Sequence, residues 1–290
     1  MRQSREQQSD GELSESRVRE LGLNDIEQKD INKRARAKAV VIHEVIRLEG
    51  ENELRRPVFA LVWSGLAAGL SMGFSMVGEG LIYSKLPNEP WRPLLSSLGY
   101  PIGFLIVILG RQQLFTENTL TVILPLLQRR NARTFRRVLR LWAIVLATNL
   151  TGTFIFAFVV GHTEIFTPEV RQAFTELGML EMESPFWTTL LRGIFAGWLI
   201  ALVAWLMPAA DTSRLSIIVI LTYLVGLAGL SHIVAGSANA FYLVTTQAKS
   251  WGDYFGGFMI PTVLGNTIGG VSLVAVLNYA QVAPQVHRDH

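Results

Sequence analysis

The chain has 290 residues, half of them hydrophobic and only 17% charged, with a formal net charge of +3. So small a charged fraction with a positive mean hydropathy excludes an ordinary soluble domain. The absence of cysteine excludes disulfides, thiolate catalysis and Cys-ligated metals.

Of the 49 charged residues, 24 lie in Met1–Arg56, twelve of each sign. This balance does not describe a nucleic-acid arm, and no nucleic-acid partner is expected. The segment lacks the apolar core of a signal peptide, so the first membrane span is expected to direct insertion. Met1–Asp25 is polar and expected to be disordered. Lys29–Leu48 reads as an amphipathic helix, with Ile31, Ala35, Ala39, Ile42 and Ile46 near the helical period, lying on the membrane surface or against a neighbouring subunit. Residues 1–56 thus form a charged extension, 57–280 a membrane domain and 281–290 a tail.

Six spans follow: Pro57–Tyr83, Leu94–Gln128, Leu139–Gly161, Pro185–Met207, Leu215–Ala248 and Phe255–Tyr279. Arg129, Arg130, Arg133, Arg136, Arg137 and Arg140 lie between spans two and three. Glu164, Glu169, Glu176, Glu181 and Glu183, with Arg171 the only base, lie between spans three and four. The positive-inside rule puts the arginine loop and both termini in the cytoplasm.

Spans two and five are about 35 residues each, roughly 50 Å as straight helices against a hydrocarbon core of about 30 Å. Each is interrupted by polar residues, Leu114–Thr119 in the first and Ser231–Ser237 in the second. Both are expected to break inside the membrane, where irregular backbone is tolerated only if protein buries it or it lines a cavity. Gly65-Leu66-Ala67-Ala68-Gly69 in span one is echoed by Gly193-Ile194-Phe195-Ala196-Gly197 in span four. Asn149 and Gly152 in span three are echoed by Asn266 and Gly269 in span six. Correspondences in the same order, three spans apart, predict an inverted 3+3 repeat. The fold class expected is an all-α membrane protein of six transmembrane helices, with spans two and five broken.

His232, at the break of span five, is the sharpest candidate. An ionisable side chain at mid-bilayer is costly and marks a path, although a neutral histidine bonded to backbone would also hold a broken helix. Thr116, at the break of span two, offers a hydroxyl to that imidazole, or bonds back to its own turn. Arg111 and Glu117 are expected to neutralise each other or face water. Glu79, between Gly78 and Gly80, faces a vestibule or the interface. Asn149 and Asn266 read as helix locks. Trp63, Trp91, Trp142, Trp187, Trp205 and Trp251 read mostly as an interfacial belt. The sequence carries no metalloprotease or P-loop motif, no serine-nucleophile arrangement and no recognisable cofactor site, so no enzyme is expected.

Three stretches carry a family resemblance. They are Gly110 with Leu114-Phe115-Thr116, Gly229 with His232 and Ala235, and the run from Ile260 to Gly270. Over about Arg55 to Tyr279 the chain resembles the formate/nitrite transporter family. That resemblance implies an aquaporin-like protomer, a homopentamer in a bacterial inner membrane with a pore in every subunit, and passage of small weak acids or monovalent anions. It gives His232 the place of the central histidine and Thr116 that of its partner. Tyr100, Phe104 and Val225 take the hydrophobic constrictions, and Leu114, Phe115 and Gly236 fall on the path. It also implies that a weak acid crosses the constrictions as a neutral species.

Two positions depart from the family pattern. Glu181 stands where a vestibule lysine is usual, and Gly236 where an asparagine is usual. An acidic vestibule would repel anions. The expected function is therefore channel-like transport of a small weak acid or its anion, with the histidine acting by proton transfer or electrostatics. The alternatives are a pore for neutral solutes on the same fold, or a non-conducting receptor or scaffold.

Overall fold

The structure is a computed structural model that describes residues 39–277 and 279–281, and among these it is all-helical. The chain runs through α1 (Ala39–Arg55), α2 (Val58–Lys85), α3 (Arg92–Ser96), α4 (Pro101–Leu109), α5 (Phe115–Thr121), α6 (Ile123–Arg129) and α7 (Ala132–His162). It continues through α8 (Pro168–Met182), α9 (Phe186–Leu206), α10 (Arg214–Leu227), α11 (Ile233–Thr245) and α12 (Ile260–Ile268). Wide π turns, Asp253–Met259 and Gly269–Val276, flank α12.

Four stretches are long and apolar enough to cross a membrane: Val58–Lys85, Arg92–Leu109, Ala132–His162 and Phe186–Ala209. The runs expected as spans five and six are assembled from shorter pieces, α10 with α11 and α12 with its π turns.

Small residues set the helix packing. A Cβ on Gly69 would collide with the carbonyl oxygen of Asn149, which lets α2 lie backbone to backbone on α7. Gly197 meets the Asn266 carbonyl of α12 in the same way. Close approach through small residues replaces the hydrophobic drive that lipid removes.

The two interruptions are built alike. α4 closes with Arg111 at φ 49°, the Gln112 N–H donating to Val107 O at 2.9 Å and the Arg111 N–H to Ile108 O at 3.1 Å. α10 closes with Gly229 at φ 58°, the Leu230 N–H donating to Val225 O at 3.0 Å and the Gly229 N–H to Gly226 O at 3.0 Å. Both are Schellman caps, and glycine accepts the left-handed residue more readily than arginine does.

The extended residues after each cap have no helical partners, and one asparagine serves each interruption. Asn149 Oδ1 accepts from the Phe115 N–H at 2.9 Å, while its Nδ2 donates to Gly65 O and Gln113 O, both at 2.8 Å. Asn266 Oδ1 accepts from the Ile233 N–H at 2.9 Å, and its Nδ2 donates to Gly193 O at 2.8 Å and Ser231 O at 2.9 Å. The asparagines do lock helices, and they also stitch the interrupted backbone.

The amphipathic N-terminal helix begins at Ala39 and runs on to Arg55, supported by Arg47–Glu44, Arg47–Glu51 and Arg55–Glu51 pairs one helical turn apart. Residues 29–38 of the expected helix, Met1–Asp25 and residues 282–290 lie outside the described residues. The helix does not lie free on a surface. Ile46, Gly50 and Leu54 are buried, a Cβ on Gly50 would collide with the Thr121 carbonyl, and Glu51 pairs with Arg129 of α6 at 2.8 Å. Two tryptophans leave the expected belt: Trp205 is buried, and Trp142 donates to Asn118 O at 3.1 Å.

Asn149→Leu leaves the Phe115 N–H and the Gln113 carbonyl without partners, each costing about 1–3 kcal/mol, and removes the tie to Gly65 of α2. Asn149→Asp keeps the acceptor alone. In detergent the leucine variant should show little assembled protein by size exclusion, and the aspartate variant a lowered thermal midpoint; a leucine variant as stable as wild type would refute the stitching role.

Candidate functional site

His232 caps the N-terminus of α11. Its backbone is extended (φ −111°, ψ 124°), and its Nδ1 accepts the Ala235 N–H at 3.1 Å. A neutral imidazole whose Nδ1 accepts must carry its proton on Nε2. That nitrogen faces Thr116 Oγ1 of α5 at 2.8 Å and therefore donates to it. The threonine hydroxyl hydrogen is left over, since among the described residues Oγ1 has no other partner. Both side chains are fully buried.

The other expected path residues fall into place unevenly. Phe104 meets the His232 ring edge-on, centroids 5.0 Å apart, and Tyr100 lies 5.4 Å beyond Phe104. Val225 and Tyr100 line a cavity of about 230 Å³ beside α8. Because α8 is the acidic segment expected outside the membrane, this is the outer cavity, and the cavity beside α1 is the inner one. Leu114 is buried and borders a small gap beside Glu117. Phe115 is different: its ring packs edge-on against Trp142 at 6.0 Å, and it lines neither cavity. Its adjacency to Thr116 in sequence turns it away, because successive residues of a helix do not share a face.

An inner cavity of about 480 Å³ is bordered by Glu49 and Glu53 of α1, with Arg111, Gln113, Glu117 and Arg214. Arg111 and Glu117 thus face the same space. Thr116 and His232 border neither cavity; Phe104 and Tyr100 lead from His232 to the one, and Glu117 and Asn118, next along the chain from Thr116, border the other. A wider surface depression, about 650 Å³ against Phe158, His162 and Trp251, includes none of the expected path residues.

Glu79 and Glu181 both border the outer cavity. Burial pushes the Glu181 carboxyl up to about 8, Glu79 adds to the rise and Arg192 opposes it. At neutral pH this side chain is therefore largely a neutral acid, which removes much of the anion repulsion expected from its identity. A Cβ on Gly236 would lie 2.7 Å from Glu181 Oε1 and 2.5 Å from the Phe258 ring. The two departures seen in the sequence are thus in contact. Sequence reading missed Asn239, which is 4% exposed and borders the same cavity with its Oδ1 unpartnered. A polar residue inside an apolar run was the available signal.

Gly236→Ala should lower the thermal midpoint by overpacking, at a cost of about 1–3 kcal/mol. Glu181→Ala in the same chain should restore part of that loss. Additive effects in the double variant would mean the two residues do not compete for space.

Residues 40–280 match the family model described as formate/nitrite transporter. The chain is 42% identical over 246 residues to the inner membrane protein YfdC of Escherichia coli (strain K12), covering 85% of this chain and 79% of the relative. It is 23% identical over 245 residues to the formate channel BtFdhC of Bacillus thuringiensis, covering 82% and 93%. Among solved structures, a pentameric formate channel with formate bound is similar with a TM-score of 0.67 at 18% identity, covering 78% of this chain and 98% of that one. The motifs around the two interruptions and the match across nearly the whole described chain have one reading: the protein belongs to the formate/nitrite transporter family.

Proposed function

We propose that this chain is a channel-like transporter for a small weak acid or its anion, of the formate or nitrite class, with the path running through the Thr116–His232 pair. The carrying observation is that pair, bonded at 2.8 Å, with Phe104 and Tyr100 leading from it to one cavity and Glu117 beside it at the other. Its uncommitted hydroxyl hydrogen would serve a solute that brings an acceptor oxygen, as carboxylates, nitrite and their acids do. The positive end of the α11 backbone adds to that preference. Supporting the substrate class are the relatives named formate channel and the bound formate of the pentameric neighbour.

In this reading six spans form an inverted 3+3 repeat, with α4/α5 and α10/α11 as the broken pair in an aquaporin-like protomer. Matched caps and matched asparagine bonds support it. Both termini lie in the cytoplasm of a bacterial inner membrane, which agrees with the arginine loop and with the inner membrane relative. The assembly is a homopentamer in the bilayer, as in the pentameric neighbour. His232 works by holding Thr116 rather than by giving up a proton, since its Nδ1 is already engaged.

A second reading, a pore for small neutral solutes, is favoured by Glu181 in the outer cavity. Proteoliposome flux separates the two. Protein-dependent flux of formate, nitrite, acetate or lactate should exceed that of urea and glycerol at pH 5. Thr116→Val, which removes the hydroxyl and keeps the size, should cut it at least about fivefold, the worth of one hydrogen bond. Flux of urea and glycerol alone would replace the weak-acid reading with the neutral-solute one.

The N-terminal extension is part of the proposal. Glu49 and Glu53 of α1 border the inner cavity, so the helix narrows the cytoplasmic mouth. Deleting residues 1–53 should raise flux about twofold or more if α1 limits access, a factor worth about 0.4 kcal/mol. Unchanged flux through an assembled truncated protein would remove any occluding role.

A further inference from the structure

The arginines around the start of α7 divide into two sets. Arg129 pairs with Glu51 of α1 at 2.8 Å, Arg130 Nε donates to Leu127 O at 3.0 Å, and Arg140 donates to the Leu54 and Arg56 carbonyls at 3.2 and 3.4 Å. These hold the fold together. Arg133, Arg136 and Arg137, on the first turns of α7, have no acid or carbonyl partner among the described residues. Arg133 and Arg136 are exposed and Arg137 is half-buried.

Nothing nearby in the chain offsets this charge, since no acidic residue occurs between Glu117 and Glu164. Arg133 stands three and four residues before Arg136 and Arg137, and Arg136 four before Arg140, spacings at which like charges on a helix repel. The positive end of the α7 backbone adds to the same field. A bound anion would relieve all of these repulsions.

Depth names the anion. Span three begins at about Leu139, and at about 1.5 Å per residue the three arginines stand roughly 3–9 Å before it along the helix. The headgroup layer on each side of a bilayer is about 5–8 Å thick, so these guanidinium groups lie level with lipid phosphates. Apolar side chains share that depth. Phe135 is 49% exposed and Leu139 46%, while Thr134, Val138 and Leu141 on the opposite face are buried in the protein. A free phosphate would satisfy the arginines and leave Phe135 and Leu139 uncovered. A phospholipid covers both, with its phosphate on the guanidinium forks and an acyl chain on the apolar side chains. A zwitterionic headgroup would bring its own cation into a patch with no acid to receive it, so a net negative headgroup fits better.

We infer that Arg133, Arg136 and Arg137, together with Phe135 and Leu139, form a binding site for an anionic phospholipid of the leaflet that borders the arginine loop. The site lies apart from both cavities, and its test does not depend on which solute the protein passes.

The test titrates the full-length, detergent-purified protein with dioleoyl phosphatidylglycerol or dioleoyl phosphatidylcholine and counts bound lipid by native mass spectrometry. Phosphatidylglycerol should bind more tightly than phosphatidylcholine. Arg136→Gln should weaken phosphatidylglycerol about fivefold, the worth of one arginine at an anionic lipid surface. Combining Arg133→Gln, Arg136→Gln and Arg137→Gln should leave the two lipids with the same affinity. Leu139→Ser should weaken both lipids. Arg55→Gln removes a cation whose side chain is 64% exposed at the same membrane boundary, and should change neither. Equal binding of the two lipids by the wild type overturns the inference. An Arg55→Gln effect as large as that of Arg136→Gln overturns it in favour of general surface charge. Displacement of phosphatidylglycerol by inorganic phosphate overturns it in favour of a free-phosphate site. A triple variant that changes oligomeric state in lipid-free detergent overturns it by assigning this face to a second copy of the chain.

Discussion

An interrupted helix in an apolar interior must find partners for every backbone group that leaves the helical ladder, and this requirement organises the molecule. Here the solution is one asparagine per interruption. Asn149 and Asn266 each accept one N–H and donate to two carbonyls, using both ends of the amide. One of those carbonyls belongs to the neighbouring long helix, Gly65 of α2 or Gly193 of α9, so the same side chain ties the break to the scaffold. The glycine contacts depend on this too, because Gly69 and Gly197 lie directly on the backbone of those asparagines.

The position of the Thr116–His232 pair follows from the stitching. Phe115 and Ile233 are the residues whose N–H groups are bound, and Thr116 and His232 are their immediate neighbours in the chain. Fixing the two backbones brings the hydroxyl and the imidazole within 2.8 Å, and the Ala235 cap then selects the tautomer. To protonate Nδ1, the cap would have to open and leave a buried N–H unpaired. In the reading proposed above, His232 is an orienting group whose proton stays in place, one side of the choice between proton transfer and electrostatics that the sequence left open.

Much of this was legible in the chain, and the reasons for the exceptions are physical. The interruptions could be read because polar residues in an apolar run are expensive, and His232 and Thr116 because they stood in those interruptions. The recurrence of Asn149 and Asn266 could be seen, but a sequence does not say which carbonyl an amide will reach, so their stitching role was hidden behind the simpler reading as helix locks. Phe115 was placed on the path through the family resemblance, and its ring packs edge-on against Trp142, a contact that only the fold reveals. The docking of α1 on α5 and α6 was not legible, because an amphipathic stripe fits a lipid surface or a protein face equally well. Asn239 was missed because whether its amide finds a partner is a property of the fold and not of the sequence.

Glu181 and Gly236 show how two separate departures become one constraint. In sequence they lie on different elements, one in the outer helix α8 and one in α11, and nothing links them. In space a side chain at 236 would occupy the place of the Glu181 carboxyl. The absence of a side chain at 236 leaves room for the Glu181 carboxyl, whose burial favours its neutral form. Desolvation would disfavour the charged form of a lysine in the same position. The exchange of charge at 181 and the loss of a side chain at 236 are thus mechanically coupled. Together they leave a buried carboxyl group where the family pattern has a lysine.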